Sequence, residues 1–305
     1  MEKVSVVCFL ASYVLATVLE FLRLRGSSPA SDVAPDSLWQ KVVALVTRDP
    51  SRRVLMLIAT GAGFFAQTMY LRVRGADNNL PPLMASSHDW LLVLAWVVVL
   101  LFLFATLLEK ELSIGYFVLP VVLLLVTSAN FASKATSTFL AGDSPTQVAK
   151  RGWTMLHVST LVIGIAGVLA SLILAVMYLM QHRRLKQKAA EQTGVHLPSL
   201  AKLGKWNWWS VVVSVPLLTL GMASGVLLGI AAKEQEVAFE FSDPVILGSG
   251  AGWLAMVGLF GWLIATNRPA GKQVAMLTVW ACAFLLLTVV GLQVLTGSGL
   301  QSVHS

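Results

Sequence analysis

The chain has 305 residues, of which 56% are hydrophobic and only 12% are charged. A soluble domain carries about 25% charged residues, so the composition excludes a soluble globular fold and indicates an integral membrane protein. The net charge of +7 does not indicate nucleic-acid binding, because basic loops are a requirement of membrane topology.

Eight apolar segments are long enough to cross a bilayer, which takes about 20 residues as a helix. In chain order they cover approximately residues 4–22, 53–71, 90–108, 114–131, 153–180, 208–232, 245–265 and 274–296. The first is interpreted as a transmembrane helix and not as a signal peptide, because it exceeds the 7–15 apolar residues of a signal. The sequence therefore predicts an all-α, polytopic membrane helical bundle with about eight transmembrane helices, and residues 1–305 form a single integral membrane domain.

The basic residues lie mainly on one side of this arrangement. Of the 22 Lys and Arg residues, 15 lie in segments 23–53, 109–113, 181–207 and 266–273. The positive-inside rule places these segments in the cytoplasm. We therefore expect a multi-pass protein of a bacterial inner (plasma) membrane, with both termini external, on the periplasmic side. His88, His157 and His304 then fall together on the external side.

These three histidines are the candidate ligands. A neutral imidazole binds iron, copper or zinc, and two imidazoles on opposite faces of a macrocycle hold haem by axial ligation. His157 is the first candidate because it lies inside the bilayer, where polar side chains are costly and usually functional. The alternative for His157 is a hydrogen bond to a neighbouring helix. His304 could equally be a disordered terminal histidine, and His88 an interfacial residue beside Trp90.

Other kinds of site find little support in the sequence. It contains no HxxxH or HExxH spacing for zinc, no Ser-His-Asp arrangement and no P-loop, so no catalytic residue is predicted. Gly221, Gly225 and Gly229 form a GxxxGxxxG pattern, which favours close helix packing and could also admit a planar ligand. Trp253 lies within the seventh segment and could line a ligand face, although its position favours ordinary packing.

The order and spacing of several short motifs resemble those of the cytochrome c assembly, haem-handling membrane proteins of the CcsA, CcmC and HemX group. The matching residues extend across most of the chain and are His88-Asp89-Trp90-Leu91, Gly115 to Pro120, Trp153-x-x-Leu156-His157, Tyr178-Leu179, Arg184-Leu185-Lys186-x-Lys188, Leu197-Pro198-Ser199-Leu200, Leu217 to Gly221 with Gly225, Ser242-Asp243-Pro244 and His304-Ser305. The tryptophan-rich block of the synthase and haem-delivery members is absent. The resemblance is therefore greatest to the small HemX-like members, and whether the chain is an enzyme stays open.

The resemblance implies a function and a set of partners. It implies haem b bound near the external face, with His157 and His304 as axial ligands of the iron, His88 as a second candidate and Asp243 beside the haem. The implied partners are haem, and an apocytochrome c or a cytochrome c assembly partner subunit, within the lipid bilayer. Two alternatives stay open: a HemX-like, non-catalytic regulator of haem biosynthesis, and a small-solute transporter, which the lack of mid-span charges disfavours.

Overall fold

The computed structural model describes residues 2–25, 49–78, 80–108, 113–134, 145–186, 197–233, 244–266 and 271–297. Every regular element in these ranges is a helix. In chain order the helices are α1 (Glu2–Arg25), α2 (Asp49–Asn78), α3 (Pro82–Ala85), α4 (Ser87–Leu108), α5 (Gly115–Ala129), α6 (Pro145–Lys186), α7 (Leu200–Lys233), α8 (Pro244–Ala265) and α9 (Gly271–Gly297). The prediction of an all-α fold is confirmed.

Seven of the eight predicted spans lie wholly on one of the eight longer helices, whereas the fourth, 114–131, exceeds its helix α5 by one residue at the start and two at the end. Within the described residues, five stretches are long and apolar enough to cross a membrane, and they lie on α2, α4, α6, α7 and α8. Shorter apolar stretches lie on α1, α5 and α9. The fold is thus a polytopic membrane helical bundle, whereas the number of crossings and the side of each terminus remain predictions.

Three helices, α2, α6 and α7, extend well beyond the spans predicted for them. α6 has 42 residues, which makes it about 63 Å long at 1.5 Å per residue, roughly twice the ~30 Å hydrocarbon core. Its last turn carries Arg183, Arg184 and Lys186, which complement the partial negative charge of a helix C-terminus. Before α7, Ser199 Oγ accepts a hydrogen bond from the Lys202 N–H at 3.4 Å. Both ends of the predicted connection 181–207 are therefore helical. Hydropathy shows where a helix leaves the lipid, but a helix can continue beyond that point.

α6 and α7 form a close antiparallel pair in which each helix supplies glycines to the other. A Cβ at Gly221 of α7 would lie 2.5 Å from Leu161 Cδ2 of α6. Further along the pair the roles reverse, and a Cβ at Gly164 of α6 would lie 3.0 Å from Leu218 Cδ2 of α7. The packing interpretation of the glycine pattern is confirmed, because side chains of each helix occupy gaps that only glycine leaves.

A buried hydrogen-bond chain joins three other helices. Tyr13 of α1 donates from its hydroxyl to Gln67 Oε1 of α2 at 2.6 Å, and Gln67 Nε2 donates to the Leu92 carbonyl of α4 at 2.9 Å. The side chains of Tyr13 and Gln67 are fully buried, where an unmade hydrogen bond costs about 1–3 kcal/mol. α1, α2 and α4 are therefore held in a defined arrangement, while α4 also packs on α5 and α6.

Candidate functional site

His157 lies on α6, and its imidazole contacts α7. Its Nδ1 atom is 2.7 Å from the carbonyl oxygen of Gly221 and 3.3 Å from Oγ of Ser224. A carbonyl oxygen only accepts hydrogen bonds, so Nδ1 carries a proton and donates it to Gly221. In the neutral ring the lone pair is then on Nε2, which is the nitrogen that a metal ion would bind.

Gly225 makes room for this ring. A Cβ at Gly225 would lie 2.6 Å from Cε1 of His157 and 3.1 Å from Nδ1, so the imidazole rests directly against the α7 backbone. Ser224 donates to the same Gly221 carbonyl at 2.8 Å and is 6% exposed. The glycine groove of α7 therefore positions the imidazole and fixes its tautomer, and at Gly221 and Gly225 it is filled by protein side chains.

The depth of His157 follows from the residues that precede it on α6. Lys150 and Arg151 lie at the start of this stretch, and Trp153 is 53% exposed. Basic residues and tryptophans mark the membrane interface, and four residues of helix advance about 6 Å. We therefore expect the imidazole to lie about one turn below the membrane interface.

His88 lies at the same end of the bundle, because Met155 of α6 packs against Met84 and Ala85, just before His88. We call this end, defined by His88 and His157, the histidine end. His88 is fully buried, and its ring bridges two neighbouring helices. Nδ1 is 2.6 Å from the Ala129 carbonyl at the end of α5, and Nε2 is 3.1 Å from the Tyr70 hydroxyl of α2. Nδ1 must donate to the carbonyl, so the Tyr70 hydroxyl donates to Nε2 and both ring nitrogens are engaged.

A buried ion pair adjoins His88, and the sequence reading did not single it out. Arg74 of α2 donates to both carboxylate oxygens of Asp89, from Nε and from Nη2, each at 3.1 Å. Asp89 is fully buried and also accepts from Ser86 Oγ at 3.0 Å. The sequence contains one indication of this pair: Arg74 lies near the end of one apolar segment, and Asp89 lies at the start of the next.

Trp253 of α8 is half-buried and bonded to α7. Its Nε1–H donates to Thr219 Oγ1 at 3.0 Å, and that hydroxyl donates to the Val215 carbonyl at 2.8 Å. The indole therefore attaches α8 to α7. Thr219 and Gly221 are two positions apart on α7, so Trp253 and His157 approach this helix from different sides.

The structure does not bring all the predicted site residues together. The His88 ring contacts α2 and α5, whereas the His157 ring contacts α7; Asp243 and His304 lie outside the described residues. In the described part of the chain, no group of three His, Cys, Asp or Glu side chains could hold a metal ion. A haem iron takes only one or two axial ligands from protein, so a single oriented imidazole suits it.

Comparison with known proteins places the chain among membrane assembly factors. Residues 84–298 match the profile of a family described as Cytochrome C assembly protein. The chain is 25% identical over 264 residues to the Cytochrome c biogenesis protein CcsA of Chlorella vulgaris, covering 74% of this chain and 80% of the relative. It is 24% identical over 251 residues to the Cytochrome c biogenesis protein CcsA of Heterosigma akashiwo (strain NIES-293 / 8280G21-1), covering 70% and 76%. No solved structure matches the chain.

Proposed function

The chain belongs to the cytochrome c assembly protein family, and from this premise we propose that His157 holds haem for delivery to an apocytochrome c or a partner subunit. The family resemblance predicted from the motifs is confirmed, and the chain is a membrane haem-handling protein of c-type cytochrome biogenesis. The proposal concerns the residues that hold the haem, the haem type and the face of the membrane.

The hydrogen bond from His157 Nδ1 to the Gly221 carbonyl, 2.7 Å long, is the observation that carries this assignment. Histidines that bind metals usually donate their other ring N–H to a carbonyl or carboxylate, which fixes the tautomer and the ring orientation. His157 has this arrangement, and its location supports a haem site at the histidine end. The Lys/Arg distribution supports assigning that end to the external face.

The remaining ligands follow from the resemblance. We propose haem b, with His304 as the second ligand of the iron and Asp243 beside the haem. His88 stays a second candidate, and it would bind iron through Nε2 only after the Tyr70 hydroxyl had released that nitrogen. Haem is cargo in this scheme, so any thioether bond would form with a Cys-x-x-Cys-His segment of the apocytochrome and would use no nucleophile of this chain.

Replacing His157 with glycine tests the proposal and leaves room for a free imidazole. We expect the Soret absorbance per protein of the detergent-purified His157→Gly variant to be at least tenfold lower than that of the wild type, because a ligand of the haem iron is removed. Added imidazole should restore the band by occupying the vacated space. The measurement is the reduced-minus-oxidised absorption spectrum, with haem quantified per protein.

His182→Gly is the matched control, because His182 lies on the same helix, 25 residues later, where its ring stacks on Tyr178. That variant should keep the wild-type spectrum. A wild-type protein that is colourless and also fails to bind added haem would contradict the proposal. A His157→Gly variant whose spectrum equals that of the wild type would contradict ligation by His157 in particular.

A further inference from the structure

A second candidate site lies at the opposite end of the bundle, which we call the basic end after Arg183, Arg184, Lys205 and Lys272. Here α6, α7, α8 and α9 enclose a cavity of about 220 Å³. Pockets that hold drug-sized molecules measure roughly 300–1,000 Å³. The cavity therefore suits a small polar group and not a macrocycle, so it is separate from the haem site at the histidine end.

One buried polar side chain of this cavity has an acceptor atom without a partner among the described residues. Asn207 of α7 lines the cavity and is only 3% exposed. Its Oδ1 atom has no hydrogen-bond partner among the described residues, while Nδ2 is 3.5 Å from Thr278 Oγ1. A buried acceptor without a partner bears the full cost of its desolvation, and a ligand that carries an N–H or O–H donor would remove that cost.

Aromatic rings supply the second feature of the cavity. Tyr178 of α6 and Trp208 of α7 both line it, and aromatic faces attract ammonium groups. Trp208 is 37% exposed and the adjacent Trp209 is 55% exposed, as expected for the belt at the depth of the lipid headgroups. The cavity therefore lies where a headgroup of the adjoining leaflet can enter.

Two exposed lysines that follow lining glycines in the sequence favour a phosphate beside the ammonium. Lys205 follows Gly204, and Lys272 follows Gly271; both glycines line the cavity and both lysines are exposed. Lysines near the headgroup region attract anionic phosphates. A group with an ammonium at one end and a phosphate at the other would match both parts of the site.

From this combination we propose that the cavity at the basic end binds the headgroup of phosphatidylethanolamine. The ammonium donates to Asn207 Oδ1 and contacts the rings of Tyr178 and Trp208, and the phosphate lies toward Lys205 and Lys272. Phosphatidylcholine has the same phosphate and an ammonium of the same charge, but its trimethylated nitrogen has no N–H. The aromatic rings bind both headgroups, and Asn207 distinguishes them.

Native mass spectrometry of the full-length protein in mild detergent tests this inference. The protein is titrated with phosphatidylethanolamine and with phosphatidylcholine of identical acyl chains. We expect the wild type to bind the ethanolamine lipid roughly tenfold more tightly, as for a hydrogen bond to a charged group. In Asn207→Leu the ratio of the two affinities should fall to about one, because the acceptor is lost while the aromatic rings remain.

Two further variants separate recognition from folding. Thr278→Val removes the neighbour of Asn207 Nδ2 but not the acceptor, so it should keep the preference for ethanolamine. Ala275→Leu fills the cavity from α9 and should weaken binding of both lipids. Equal binding of the two lipids by the wild type would overturn the inference, as would a preference that persists in Asn207→Leu.

Discussion

The absence of a Cβ at Gly225 leaves the space that the His157 imidazole occupies. In Gly225→Ala the new methyl group would lie 2.6 Å from Cε1 of His157, closer than two carbon atoms can approach. The ring must then leave the Gly221 carbonyl, or α6 must move away from α7. We expect a loss of about 1–3 kcal/mol in stability, as for other overpacked interiors, together with a loss of bound haem. Thermal unfolding and the Soret absorbance per protein measure the two effects.

Gly258→Ala provides the matched control for this substitution. A Cβ at Gly258 of α8 would meet nothing within 4 Å, so the change adds a methyl group to open space. Its unfolding temperature should equal or exceed that of the wild type, because alanine favours helix by up to about 1 kcal/mol over glycine. If Gly225→Ala and Gly258→Ala had the same unfolding temperature and the same Soret absorbance per protein, the contact between Gly225 and His157 would not position the ring.

The sequence identified His157 but not what holds it. A polar residue one turn inside an apolar run is visible in the sequence, whereas its partner, the Gly221 carbonyl, is a backbone atom whose availability depends on which helix packs nearby. For His88 the sequence left a ligand and an interfacial residue open. Its engagement by Tyr70 and Ala129 depends on three helices meeting, which no local pattern indicates.

At the level of helices, the Arg74–Asp89 pair is one of the contacts that join α2 to α4. Replacing Arg74 with methionine keeps much of the side-chain volume but leaves the buried Asp89 carboxylate without its cation. Breaking a buried ion pair in this way costs about 3 kcal/mol or more. We therefore expect Arg74→Met to unfold at a clearly lower temperature than the wild type in the same detergent.

Arg72, two residues earlier on α2, offers the control for this prediction. It is exposed, and exposed substitutions usually change stability by less than about 0.5 kcal/mol. Arg72→Met should therefore unfold like the wild type. If both methionine variants were equally stable, the pair would contribute nothing to the packing of α2 on α4.

Helix positions were predictable from hydropathy, but helix ends were not. All eight apolar segments became helices, because about 20 apolar residues in lipid must satisfy their own backbone hydrogen bonds. The polar extensions of α6 and α7 carry no such constraint, and the sequence placed them in a connection. Likewise, the pattern of Gly221 and Gly225 predicted close packing but not that His157 would occupy one of the gaps.

For the whole molecule, the positive-inside rule predicts which end faces the cytoplasm. The chain has two cysteines, Cys8 and Cys282, which are replaced with serine before a single new cysteine is introduced. Lys134→Cys, at the histidine end, should react with a membrane-impermeant maleimide in intact cells. Lys272→Cys, at the basic end, should react only after permeabilisation. The reverse pattern of labelling would invert the orientation and place the haem site on the cytoplasmic side.

The family could be predicted from the order and spacing of short motifs spread along the chain, although the identity to the CcsA proteins is only 24–25%. The cavity at the basic end was not predictable. It is formed by residues of four helices that are distant in sequence, such as Tyr178 and Ala275, and none of them is unusual in its own segment. Composition and hydropathy thus predict the bundle, while the sites depend on how its helices meet.

The repeat of Gly221, Gly225 and Gly229 has a consequence for the register of the bundle. A shift of α6 by one turn would bring His157 opposite Gly229 and Leu161 opposite Gly225, so the glycine repeat of α7 does not by itself select one register. The contact between His157 Nδ1 and the Ser224 hydroxyl exists only in the observed register, because the residue one turn after Ser224 is Leu228. A single polar contact at an apolar helix interface is known to fix register in this way. The imidazole that we propose to bind haem therefore also favours the observed register of α6 against α7.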